Sequence, residues 1–85
     1  MQRTDTGGRT ILLSASTAQL TVLFEPGGGQ FVLEPGESFR VLVHGPEEET
    51  MEVMHGPDYI SVWPSPRLKV RIFDKSGSEL EILGY

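Results

Sequence analysis

The feature that most constrains this chain is a pair of apolar segments joined by a sharp turn, FVLEPGESFRVLVH over residues 31–44. In the second segment apolar residues alternate with more polar ones, which is the period of a β-strand with one buried face. Pro35 has the φ that a turn needs at its first central position, and Gly36 can take the positive φ that a type II turn needs next. The segment therefore predicts a strand, a tight arch and a long central strand.

The same alternation recurs along the chain between glycine- and proline-rich turns, and no segment has the period of an amphipathic helix. The sequence predicts an all-β fold of six to eight strands, a small antiparallel β-sandwich or a partly open barrel. Residues 10–85 are predicted to form its one domain, and residues 1–9 a flexible N-terminal tail, because the tail contains Gly7-Gly8 and lacks periodicity. The predicted core contains Phe39, Val41, Val43, Val62, Val70 and Ile72.

The last two strands can be registered from the sequence alone. A type I turn with Gly77 in the left-handed conformation gives a three-residue loop. Pairing then places Ile72 opposite Leu80 and Val70 opposite Ile82, with apolar side chains on one face. On the other face the register predicts an ion pair between Arg71 and Glu81. A shift by one residue would oppose apolar to charged side chains throughout.

The segment Leu20–Phe24 is notable because it contains neither charge nor proline before Glu25-Pro26. Charges and prolines are what usually prevent a sheet edge from pairing with another chain. If this segment lies at an edge, we expect Leu23 and the backbone beside it to be adhesive.

The arch LEPGESFRVLV resembles the strand crossing of immunoglobulin-like and cupredoxin-like sandwiches, whose two flanking strands often belong to different sheets. The chain over residues 20–73 also resembles short, uncharacterised bacterial proteins with an EP…LEPGE…V pattern followed by a tryptophan-bearing strand. The resemblance implies a sandwich architecture and no activity.

Composition limits the classes of function. A formal charge of −5 over 85 residues argues against nucleic-acid binding, which requires a basic surface. No apolar run suggests a signal peptide or a membrane span, and the chain contains no cysteine for a disulfide or a thiolate site. We therefore expect a cytoplasmic protein with no cofactor and no membrane association.

Two methionines and two histidines raise a copper hypothesis, because thioether and imidazole groups bind copper. The candidates are His44, Met51, Met54 and His55. A blue-copper site needs a thiolate, which this chain lacks, and a regular strand directs Met51 and Met54 to opposite faces. The sequence therefore favours core and surface methionines with solvated histidines over a metal site.

Other chemistry has less support. The carboxylates of Glu47, Glu48 and Glu49 lack the spacing of a calcium loop and are typical of a solvated turn. Ser38 and Ser61 lack the local context of a catalytic nucleophile. We therefore expect no enzymatic activity.

An aromatic face is the one feature that predicts a function. Its candidate residues are Leu23, Leu42, Tyr59, Trp63 and Phe73, which share an outward face if their strands share a sheet. Trp63 could instead close one end of the core, and the sequence does not decide between the two. The leading hypothesis is a non-enzymatic protein-interaction module that binds another protein or itself. The alternative is a small-ligand-binding β-domain for a sugar or a metal.

Overall fold

The computed structural model describes residues 6–82, which form eight β-strands and no helix. The strands are β1 (Thr6–Ser14), β2 (Leu20–Phe24), β3 (Gly29–Leu33), β4 (Ser38–Pro46), β5 (Met51–His55), β6 (Tyr59–Pro64), β7 (Lys69–Phe73) and β8 (Glu79–Leu80). The predicted all-β class and strand number are confirmed.

The strands form two four-stranded sheets that pack face to face as a small sandwich. Sheet A has the order β1-β4-β7-β8, and sheet B has the order β3-β2-β6-β5. All pairs are antiparallel except β2 with β6, which run parallel. The predicted small sandwich is confirmed, and β2–β6 is the one described strand pair that is not antiparallel. The pair is parallel because the chain leaves sheet B after β3, builds β4 in sheet A, and re-enters sheet B through the β5–β6 hairpin.

The arch between β3 and β4 has the predicted turn and carries the chain from one sheet to the other. Gly36 has φ 84°, and the N–H of Glu37 donates to the carbonyl oxygen of Glu34 at 2.9 Å. The Glu37 carboxylate accepts a second bond, 2.9 Å from the Glu34 N–H. The turn is thus closed by backbone and side chain together.

The core lies between the sheets and contains all six of the predicted residues. Sheet B contributes Phe24 and Phe31, and sheet A contributes Phe39. The Phe31 ring packs edge to face against both of the others, at centroid distances of 6.0 Å to Phe24 and 5.8 Å to Phe39. This geometry is favoured by the ring quadrupole, and it joins the two sheets.

The predicted flexible tail over residues 1–9 is wrong for residues 6–9. These residues are the first part of β1, which pairs with β4 from Thr6 opposite Pro46 to Ser14 opposite Ser38. They form a strand because β4 extends far enough to give their backbone a hydrogen-bonding partner, although this part of the sequence shows no strand pattern. Residues 1–5 lie outside the described part of the chain.

The segment Leu20–Phe24 does not lie at an edge, so the condition for an adhesive strand there is not met. As β2 it lies between β3 and β6, so both of its sides are paired. Its lack of charge reflects an interior position in the sheet, where Val22 and Phe24 are fully buried.

The β7–β8 hairpin has the predicted register as far as its ladder extends, and the predicted Val70–Ile82 pair lies beyond the end of β8. Ile72 lies opposite Leu80 and Phe73 opposite Glu79, and Gly77 has φ 91° in the loop. The predicted ion pair with Glu81 is replaced by a two-bond contact between Arg71 and Glu79, at 2.9 and 3.0 Å. Because β8 ends at Leu80, Glu81 lies beyond the ladder, and the long Arg71 side chain reaches its diagonal neighbour instead.

Acid is expected to loosen this hairpin. The Asp74 carboxylate accepts bonds from the Ser76 hydroxyl and from the Ser78 and Ser76 N–H groups, which lower its pKa, and Arg71 likewise lowers the pKa of Glu79. A carboxyl group with a lowered pKa in the folded state stabilises the fold at any pH above its unfolded-state pKa. This stabilisation is lost as the pH falls through the folded-state pKa, below about 4.

The measurement is an NMR titration of the Ser76 and Ser78 amide shifts. We expect a midpoint below the ordinary aspartate value of about 3.9, and no such titration in Asp74→Asn. A midpoint at or above that value would show that the turn does not stabilise the Asp74 carboxylate.

Candidate interaction surface

The structure divides the five candidate interface residues between the two outer faces of the sandwich. Leu23 belongs to β2, and Tyr59 and Trp63 belong to β6, so these three lie on sheet B. Leu42 in β4 and Phe73 in β7 lie on sheet A. The predicted single face therefore does not exist, because these strands do not share a sheet.

The outer face of sheet B, which we call the tryptophan face, carries large apolar side chains together with the polar residues Thr21, Gln30, Ser61 and Glu52. Strand register places Leu23, Ser61 and Met54 side by side across three strands. A neighbouring row contains Val32, Thr21 and Tyr59. Val32, Met54, Tyr59 and Trp63 are each between 36% and 46% exposed. Four large apolar side chains on one face are thus in contact with solvent.

Trp63 lies on this face and is not part of the core. Its indole Nε1–H donates to the Ser61 hydroxyl at 3.0 Å, two residues earlier on the same strand. Ser61 is only 6% exposed although it points outward, because it lies between Leu23 and Met54 and beneath this bond. With its polar atom paired, the Trp63 ring presents apolar surface to solvent in a fixed position.

Tyr59 is positioned by the turn before it. Gly56 lies directly against the Tyr59 ring, and a Cβ at residue 56 would come within 2.6 Å of the ring carbon Cε2. The missing side chain at Gly56 therefore leaves room for the ring over the β5–β6 turn. Both aromatic rings of β6 are held by contacts within their own hairpin.

Charge is distributed unequally between the sheets. The strands of sheet B contain no lysine or arginine, and Glu52, opposite Trp63, is their one acidic residue. The strands of sheet A contain Arg9, Arg40, Lys69, Arg71 and Glu79. Most of the charge on the described strands is therefore on sheet A, and sheet B is nearly uncharged.

The outer face of sheet A also holds apolar groups, but cations cover them. The Arg71 guanidinium lies 5.1 Å from the centroid of the Phe73 ring, and both Leu42 and Phe73 are only half-exposed. Arg40 lies directly opposite Phe73 in the β4–β7 ladder. A long charged side chain keeps apolar surface from water by lying along it. Leu42 and Phe73 are thus less suited to an interface than the residues of sheet B.

An open groove of about 680 Å³ runs along the side of the sandwich, beside β7. Pro26, Pro64, Leu68 and Val70 contribute to its walls, together with Lys69 and Arg71. Its volume is in the range of small-molecule sites, although Arg71 is already bound to Glu79.

The four candidate metal ligands are not brought together. His44 lies in β4 of sheet A, where it covers Gly8, and the other three lie in β5 of sheet B. Along β5, Met51 and His55 share one face and Met54 occupies the other. Within residues 6–82 no group of three or more histidine and carboxylate side chains could hold a metal ion.

Sequence reasoning did not include Val32 among the residues of this face. Val32 stands at an alternate position of a short strand, and that signal gives the face of a strand without showing what covers it. Leu12, which at 62% is the most exposed large apolar residue among those that the structure describes, was also missed.

Comparisons with protein-family models, with curated proteins and with solved structures find no match to this chain. No helix long and apolar enough to cross a membrane occurs in the described part of the chain. The function is therefore inferred from the chemistry of the surface itself.

Proposed function

We propose that this protein is a non-enzymatic interaction module that binds another protein through the tryptophan face. The observation that carries the proposal is that the outer face of sheet B, with exposed Trp63, Tyr59, Met54 and Val32, contains a single charged residue. Several large exposed apolar side chains on one nearly uncharged face of a small protein are typical of a binding site.

The side chains of the tryptophan face fit a protein partner. Tryptophan, tyrosine and methionine are enriched in interfaces, where a rigid aromatic ring gives a large contact area at a low cost in side-chain entropy. Glu52 lies opposite Trp63 at the margin of this face. A cation on the partner would pair with this carboxylate while its aliphatic stem covers the indole. We therefore expect an apolar partner surface that carries an arginine or lysine at its margin.

The experiment is an affinity capture from the host's own extract with three baits: the unaltered protein, Trp63→Ser and Phe73→Ser. Phe73 is the matched control because it is also a partly exposed aromatic residue on an outer face, but of the opposite sheet. We expect one protein to be retained by the unaltered chain and by Phe73→Ser and to be lost with Trp63→Ser. Equal retention by all three baits would remove the tryptophan face from the function.

A second candidate function, small-ligand binding, is favoured by the groove beside β7. Trp63 fluorescence distinguishes ligand binding in the groove from sugar binding on sheet B. Trp63 is the one tryptophan in the chain, so its emission reports on the tryptophan face. A sugar stacked on the indole would shift that emission. A ligand in the groove would instead shift the NMR signals of Leu68 and Val70.

We propose a cytoplasmic location, which the lack of cysteine supports.

A further inference from the structure

The free side of β1 is the longest open strand edge in the described part of the chain. The strand has nine residues and pairs on one side with β4, and it is the first strand in the order of sheet A. An open edge presents unpaired N–H and C=O groups to any strand that can reach them.

The hydrogen bonds at the end of β1 show which residues present these groups. The Ala15 N–H donates to the carbonyl of Glu37, and the Ala15 carbonyl accepts from the N–H of Gly36, both at 3.0 Å. Bonding alternates along an antiparallel ladder, so Leu13 and Ile11 also bond towards β4. The N–H and C=O groups of Thr10, Leu12 and Ser14 therefore point away from the sheet.

This edge lacks the features that normally prevent pairing. Proline and acidic residues are absent from β1, and Arg9 is its one charge. Apolar side chains are exposed on both of its faces, Leu12 at 62% on the outer face and Ile11 at 37% on the core side. The other edge strand without an acidic residue, β3, differs because Leu33 is buried, Phe31 is partly buried, and Val32 is its one exposed apolar residue. An added strand would bury more apolar surface at β1 than at β3.

We infer that the occupant of this edge is a second copy of the same chain, paired antiparallel through β1 with the two-fold axis at Leu12. In this register Leu12 meets Leu12 of the second copy, Ile11 meets Leu13, and Thr10 meets Ser14. Each residue whose backbone N–H and C=O groups point away from β4 lies opposite another such residue of the second copy. This gives roughly six inter-chain N–H···O bonds and one continuous eight-stranded sheet.

The sequence of the edge selects this register. With the two-fold axis moved to Ile11, Leu13 would oppose Arg9, an apolar residue against a charge. A shift that pairs even-numbered with odd-numbered residues would leave the outward N–H and C=O groups unmatched. The edge is thus complementary to itself, which is what a two-fold interface requires. Because β1 belongs to sheet A, the tryptophan face stays available, and this inference does not rest on the proposed function.

Introducing a positive or a negative charge at position 12 tests the pairing, because Leu12 is the one residue that lies opposite itself in the second copy. The mass of the unaltered protein, Leu12→Lys, Leu12→Glu and an equimolar mixture of the two variants is measured by analytical ultracentrifugation from low to hundreds of micromolar. We expect the unaltered protein to dimerise. For each variant alone, the dimer affinity is expected to fall by at least about 100-fold, because like charges meet at the two-fold axis. The mixture is expected to recover the dimer.

Two control variants separate this edge from other surfaces. Val32→Lys places a charge on β3, at the edge of sheet B, and Trp63→Ser removes the indole of the tryptophan face; both are expected to dimerise like the unaltered protein. The inference is overturned if the unaltered protein is a monomer throughout, if charge at Leu12 has no effect on its dimer, or if the mixture stays monomeric.

Discussion

Phe39→Ala is expected to destabilise the fold by about 3–5 kcal/mol, the usual cost of removing a buried phenyl ring. Phe39 is 7% exposed, and it is the sheet A member of the edge-to-face group with Phe31 and Phe24. Its loss leaves a cavity where the two sheets meet and removes an aromatic contact between them. A domain of this size has roughly 4–13 kcal/mol of stability in total, so the variant is expected to lose at least about a quarter of it.

The measurement is urea unfolding followed by far-ultraviolet circular dichroism. Trp63 fluorescence is a poor probe here, because the ring is already 41% exposed in the folded state. Met54→Ala is the control, since Met54 is 46% exposed on the outer face and its loss is expected to cost no more than about 0.5 kcal/mol. Equal midpoints for the two variants would contradict the described core.

Trp63→Ser is expected to weaken binding of the partner about 30-fold or more while leaving the fold intact. Tryptophan residues near the centre of an interface commonly contribute 2 kcal/mol or more to binding, and each 1.4 kcal/mol is a factor of ten in affinity. The fold is expected to stay intact because the indole lies outside the core. Its one described hydrogen bond is to the Ser61 hydroxyl, and water takes the place of the indole in the variant.

Titration calorimetry with the captured partner gives this ratio, and a thermal melt of each variant confirms that it is folded. Phe73→Ser is again the matched control and is expected to change the affinity less than about threefold. If Phe73→Ser weakened binding as much as Trp63→Ser, sheet A would be part of the interface.

Local pattern was enough to predict the parts of this fold that form between near neighbours in the chain. The arch follows from Pro35 and Gly36, and the last hairpin follows from Gly77 and the alternation around Ile72. Burial of Phe39 follows from its place in an alternating strand. The arch and the hairpin form between residues that are only a few positions apart in the chain. For Phe39, the alternation of side chains along the strand is enough to predict burial.

The candidate site was predicted only in part, because it depends on strand order. Leu23 and Leu42 have the same alternating context, yet one lies in sheet B and the other in sheet A. That assignment is made by the parallel pairing of β2 with β6, between segments nearly forty residues apart. The side-chain period gives the face of a strand and contains no information about its neighbours. For the same reason, β1 could not be recognised as the open edge.

The proposal that the tryptophan face binds a protein is tested most directly by photo-cross-linking in the host cell. A photoreactive phenylalanine analogue is introduced at Met54, on the tryptophan face, or at Arg40, on the outer face of sheet A, since both side chains are exposed. We expect a discrete cross-linked protein from position 54 that Trp63→Ser abolishes, and no such product from position 40. A product from position 40 alone, or none from position 54, would contradict the proposed function.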